Sequence, residues 1–246
     1  MRKLATLMGA AAALGVFAFA SVPAQAATIN VPDDYATIQL AVDAAISGDQ
    51  IRVGPGEWCG AIIDKRVDLF GEGGATIIGC PSPNVFDLQG GADFLRIGFI
   101  LDGAVASGTT IRHFVFDGEG VHNNPPIGNF DPLSLAIFGF LADNVIVEQN
   151  RVIGTAQAIS NSSGSGWTVN HNVIEDLVVF PCVGGVRTCF GGLGIVFQYR
   201  SAPPRPTGNT AMFNDISGTV PDTLALFDTA YIWLLAQDGA SYKRTS

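Results

Sequence analysis

SLAIFGFLADNVIVEQNRVIGTAQAISNSSGSGWTVNHNVIED, residues Ser134 to Asp176, reads as two turns of one screw. The first turn carries Ala136 to Phe140, then Val145-Ile146-Val147, then Asn150-Arg151-Val152. The second carries Ala158-Ile159-Ser160, then Trp167-Thr168-Val169, then Asn172-Val173-Ile174. Val147 and Val169 are 22 residues apart, and so are Asn150 and Asn172. A third copy follows in Gly194 to Phe197 and Asn214-Asp215-Ile216. One such unit cannot bury its apolar side alone, but stacked units can. The recurrence predicts an all-β fold, a single-stranded right-handed parallel β-helix. Its Asn150, Asn172 and Asn214 would ladder amide to amide at one corner, as stacked amides do in cross-β structure. A β-sandwich also has short strands and frequent turns. The 22-residue recurrence of the Asn corner argues against it.

Outward from this stretch, residues 27–58 form an entrance. Thr28 to Val31 is a short strand. Ile38, Ala41, Val42, Ala45 and Ile46 make a one-sided apolar stripe, capped by Asp33 or Asp34 and ended by Gly48. Such a helix would cover the open end of a solenoid, whose core and strand edges otherwise meet water. Asp49 to Val53 reads as a strand turned by Gly54-Pro55-Gly56. Between residues 67 and 117 several strand-like runs occur, with no fixed register. Ile111 to Phe116 matches the corner motif with Phe114 in the place of Asn.

Composition narrows the classes. Only 14% of residues are charged and 30 are Gly, which suits tight solenoid corners. The formal net charge of −9, without basic clusters, excludes a nucleic-acid binder, because phosphate contacts need Lys and Arg. Arg2 and Lys3, the apolar run from Leu4 to Ala20 and the small-x-small Ala24-Gln25-Ala26 make residues 1–26 a secretory signal peptide. Its removal moves the net charge from −9 to −11 and leaves residues 27–246 as one β-helix domain, secreted or periplasmic. No later segment is apolar for long enough to span a bilayer. Cys59 and Cys80 stand about one coil apart, and Cys182 and Cys189 flank a Gly pair. Four cysteines in an oxidising compartment allow three pairings, and the spacing favours Cys59 with Cys80 and Cys182 with Cys189.

The run Thr37-Ile38-Gln39, Ala41 to Ala45, Gly48 to Ile51 and Val53-Gly54-Pro55-Gly56-Glu57-Trp58 resembles the opening of the pectin-lyase-like β-helix superfamily. Trp58 stands where Tyr is usual there, and Gly60 where Glu often follows. With the Asn corners, the resemblance spans nearly the whole chain after residue 26. It implies a groove walled by loops at one edge, in which sugar chains lie. Insertions at Gly118–Leu133, Leu177–Gly192 and Gly218–Asp228 each follow the corner motif and are expected to leave from one edge. Ser201 to Pro206 lies at a different corner. The chain is expected to stop partway through a coil, incomplete at its C-terminal end.

The resemblance does not carry a chemistry. The outward positions Phe138, Phe140, Ser160, Val196 and Gln198 include no acid and no base, whereas general acid–base work needs a titratable group within reach. Glycosidic hydrolysis usually needs two carboxylates. A calcium-dependent lyase needs several clustered acidic oxygens, so Ca²⁺ enters only under that alternative and no other cofactor is expected. His113, Asp117, Glu119 and His122 are the remaining candidates for an acid–base or metal set, although Asp117-Gly118 is also a turn. Phe138, Phe140 and Trp233 would line one face and could stack on sugars. Three functions stay open: a binder of a polysaccharide or surface polymer, a lyase or hydrolase of the pectin-lyase-like type, and a structural or adhesive surface protein. Oligomeric state is not legible.

Overall fold

The computed structural model describes residues 25–80, 85–87, 94–119, 123–124, 128–129, 133–180, 190–199, 206–217, 232–234 and 241–242. The chain winds through three parallel sheets in strict rotation. The first sheet stacks eight strands: Thr28–Val31, Gln50–Val53, Asp68–Gly71, Thr110–Arg112, Ile146–Glu148, Thr168–Asn170, Thr210–Met212 and Ser241–Tyr242. The second stacks Gly56–Cys59, Ala75–Ile78, Val115–Asp117, Arg151–Ile153, Val173–Glu175 and Asp215–Ile216. The third stacks Ala61–Ile63, Phe94–Asp102, Leu135–Phe140, Gln157–Ser162, Leu193–Gln198 and Ile232–Leu234, with Val85–Asp87 added antiparallel to its second strand. This is the right-handed parallel β-helix, the hand that parallel crossovers take.

Register brings like residues into columns. In the first sheet Ile51, Leu69, Ile111, Val147, Val169 and Ala211 align and point inward. In the second, Ile77, Phe116, Val152 and Ile174 do the same. In the third, Phe99, Ile137, Ile159 and Ile195 align. All are buried. Each such side chain contributes about 1.5–3 kcal/mol on leaving water. No coil could realise that gain without neighbours above and below, which is why the fold is a stack. Where the third sheet bends, Ala136 and Ile137 both enter the core, as do Ala158 and Ile159.

The corner between the first and second sheets is built by repetition. Asn150 Nδ2 donates to Asn172 Oδ1 at 3.1 Å, and Asn172 Nδ2 to Asn214 Oδ1 at 3.0 Å. The residue before each Asn takes a left-handed backbone: Gln149 at φ 56°, His171 at 53° and Phe213 at 57°. His113, at 65°, does so before Phe114, whose N–H donates to Asn150 Oδ1 at 3.0 Å. The Phe114 side chain joins Phe99 and Phe116 in an edge-to-face cluster instead of extending the ladder. A second amide pair, Asn161 and Asn209, stands at the corner between the third and first sheets. Asn209 Oδ1 there accepts the Trp167 N–H at 2.8 Å.

Helix Ile38–Ala44 lies over the first coils and buries Ile38, Ala41 and Val42. Two details differ from expectation. The N-cap is Thr37, whose hydroxyl accepts from the Leu40 N–H, because Asp34 is already engaged by Asn30. Ile46 is 54% exposed, because the helix ends at Ala44 and the stripe does not continue. Strand Ser241–Tyr242 pairs in parallel with Thr210 and Ala211. Cys59 and Cys80 form a disulfide, their Cα atoms 5.5 Å apart. Cys182 and Cys189 lie outside the described residues, as do residues 1–24.

Candidate functional site

Three of the long insertions leave the solenoid between a second-sheet strand and the next third-sheet strand, at 118–134, 176–192 and 217–231. A fourth, at 79–93, does the same. The strand ends that flank them therefore share one edge of the solenoid, between the second and third sheets. The segment holding Pro203 leaves instead between the third and first sheets.

Two columns run up the outward face of the third sheet. One aligns Ile62, Ile100, Phe138, Ser160, Val196 and Trp233. The other aligns Asp102, Phe140, Ser162 and Gln198. The Trp233 side chain lies outside the described residues. Phe140 is 40% exposed and Phe138 is half-buried. Above them the face changes character: Ser160, Ser162, Val196 and Gln198 are buried, not open as their outward positions imply. Ser160 Oγ donates to Gln157 Oε1 at 2.8 Å. Among the described residues Ser162 Oγ and Tyr199 Oη are buried without a hydrogen-bond partner. An unmet buried hydroxyl costs about 1–3 kcal/mol. Asp102 is the single titratable side chain in the two columns.

The other candidates do not converge here. His113 sits at the corner between the first and second sheets, with its ring edge-on to Phe70 at 4.9 Å. Asp117 ends the following strand, Val115–Asp117, and its Oδ1 accepts the Glu119 N–H at 2.8 Å, which is turn chemistry. That strand separates His113 from the two carboxylates. His122 lies outside the described residues. Among the described residues no three His, Cys, Asp or Glu side chains are grouped to hold a metal.

His113 instead borders an open concavity of about 450 Å³ along the first corner, with Phe70, Gly73, Gln149, Arg151 and His171. Arg52 and Arg112 flank the Phe70 ring at 5.4 and 5.5 Å. Arg112 also pairs with Asp68 at 2.8 Å, and Arg151 with Glu175 at 2.8 Å. These partly exposed pairs order the surface more than they stabilise it. His171 stacks on Phe213 at 5.3 Å, as a corner residue.

No family model and no curated protein matches the sequence. Among solved structures, a pectin methylesterase from Aspergillus niger in deglycosylated form aligns over 92% of each chain, at 14% identity and a TM-score of 0.25. The β-helix is read from the strand register and not from that superposition. Among the described residues no helix is long and apolar enough to cross a membrane.

Proposed function

We propose that the protein is exported and binds a polysaccharide or surface polymer along the outward face of its third sheet, without a catalytic set. One observation carries this reading. The 40% exposed Phe140 and the half-buried Phe138 stand side by side on the outward face of the third sheet, at the level of the solenoid where that face is open. A sugar chain offers the matching surface, apolar ring faces edged by hydroxyls. Against hydrolysis stands chemistry: the columns hold Asp102 alone, where acid and base carboxylates are usually paired. The disulfide and the signal-like residues 1–26 support export.

The test is affinity electrophoresis through gels containing neutral or acidic polysaccharides, with and without calcium, alongside assays for unsaturated products and new reducing ends. Retardation by at least one polymer, without product, is the expected result. Product formation would replace this reading with the enzyme. Neither retardation nor product would leave a structural or adhesive surface role.

A further inference from the structure

Among the described residues Ala27 is the first fastened to the body. Its carbonyl accepts the Gln50 N–H at 2.9 Å, and its own N–H donates to Asp49 Oδ1 at 2.7 Å. Gln25 and Ala26, just before it, are exposed and belong to no strand. Asp49 is 3% exposed. Its second oxygen accepts the Ile46 N–H at 2.9 Å. No Lys or Arg pairs with it among the described residues. A buried carboxylate held only by neutral donors is short of a compensating charge.

The small-x-small pattern Ala24-Gln25-Ala26 sets the scissile bond at Ala26–Ala27. Hydrolysis there adds water across the peptide bond. The C–N bond breaks, Ala26 leaves as a carboxylate on the released leader, and Ala27 becomes an amine that takes up a proton. The nitrogen that gains this charge is the one already 2.7 Å from Asp49 Oδ1. We propose that Ala26–Ala27 is a processing site for an export peptidase and that Asp49 is the preformed receptor of the new α-ammonium. Leader removal then replaces a neutral hydrogen bond with a partly buried ion pair and pins strand Thr28–Val31 to Gln50–Val53. This inference rests on the export half of the proposed function and is independent of polysaccharide binding.

The other charged groups nearby are already engaged. Asp68 holds Gln50 and Arg112, Lys65 donates to the Val42 and Asp43 carbonyls and pairs with Asp64, and Asp34 holds Asn30. Asp43 accepts from Gln39, and the Arg66 carbonyl accepts the Gly48 N–H while its side chain runs beside Gly108. An ammonium that gains a carboxylate partner has its folded pKa raised. Its stabilisation is therefore complete below the unfolded value, near 8, and is lost as pH rises through the folded one.

The experiment expresses the full chain, sequences the N-terminus of the exported protein, and compares its unfolding with that of the same chain retaining Ala26. The expected results are a first residue of Ala27 and an unfolding constant about tenfold smaller for the processed chain at pH 6.5, the effect of one pKa unit. The difference should shrink as pH rises through about 8 to 9, and vanish with Asp49→Asn. A different first residue overturns the processing site. Equal stability of the two wild-type chains at pH 6.5, or a difference that does not change with pH, overturns the receptor role even if Asp49→Asn fails to fold. Lack of export would instead defeat the reading on which the inference rests.

Discussion

Asn172 Oδ1 accepts two hydrogen bonds from Asn150, one from its backbone N–H at 3.0 Å and one from its side-chain amide at 3.1 Å. Asn172 in turn gives its own two N–H groups to Asn214 Oδ1, both at 3.0 Å, and its Nδ2 also reaches the Val147 carbonyl at 3.0 Å. Replacing it by Ala leaves donors of Asn150 and an acceptor of Val147 buried and unmet. At about 1–3 kcal/mol for each unsatisfied group, partly relieved by relaxation, Asn172→Ala should cost about 3 kcal/mol. Asn214→Ala should cost less, because Asn214 is 7% exposed where Asn172 is fully buried, so the groups it leaves lie nearer water. Urea unfolding of the two variants checks the order. Equal losses would contradict a directional ladder.

The Cys59–Cys80 bridge closes a loop with a sequence separation of 21. Chain-entropy reasoning gives such a loop about 3 kcal/mol of stabilisation, through restriction of the unfolded chain. Double replacement with Ser should lower the melting temperature by several degrees, and a reductant should then have no further effect through this pair. A variant that melts with the wild type would show that the first coils are held by packing alone.

Gly139 lies in the inward column between Leu101 and Asn161, under Trp167. A Cβ there would fall within the Trp167 ring, which is fixed by its Nε1–H donating to the Ala142 carbonyl at 2.7 Å. Gly139→Ala should therefore destabilise by about 1–3 kcal/mol, as overpacking does, and disturb Trp167 fluorescence. Gly73, with nothing within 4 Å of an added Cβ, is the control and should accept Ala with little change.

Phe140 is exposed enough that its removal should spare the fold. Phe140→Ala is expected to weaken retardation in the polysaccharide gel severalfold, the loss of about 0.5–1.5 kcal/mol for one ring contact, with an unchanged melting temperature. The same retardation as wild type would move binding off this face.

Much of the solenoid is legible from three coils because their corners obey one local rule, a left-handed residue followed by Asn. Gln149 and His171 mark it 22 residues apart, and Phe213 marks it again on the next coil, after longer connections. Phe114 extends the rule by one coil because its N–H keeps the bond even though its side chain leaves the ladder. Below it the signal fades for a physical reason. The next corner runs Gly71-Glu72-Gly73-Gly74, without Asn, and the insertion at 79–93 breaks the spacing before Phe94. The Phe94–Asp102 register is therefore not legible in the sequence, and neither is the pairing of Asp102 with Phe140. The expected helix cap failed differently. Asp34 is a good cap by residue type, but a nearer partner, Asn30, holds it. The site is less legible than the fold because the openness of an outward position depends on what lies over it. Ser160 and Phe138 share a column, yet only Ser160 is wholly buried.

The amide column at the first corner has a polarity, each member giving upward and taking from below, and it repeats without changing its neighbours. A tandem duplication of residues 151–172 would thus arrive with its own donor and its own acceptor. It should lengthen the molecule by one rung, about 4.8 Å, while leaving both original ends bonded as before. Growth by insertion within the stack, rather than by addition at a terminus, is the route this architecture leaves open.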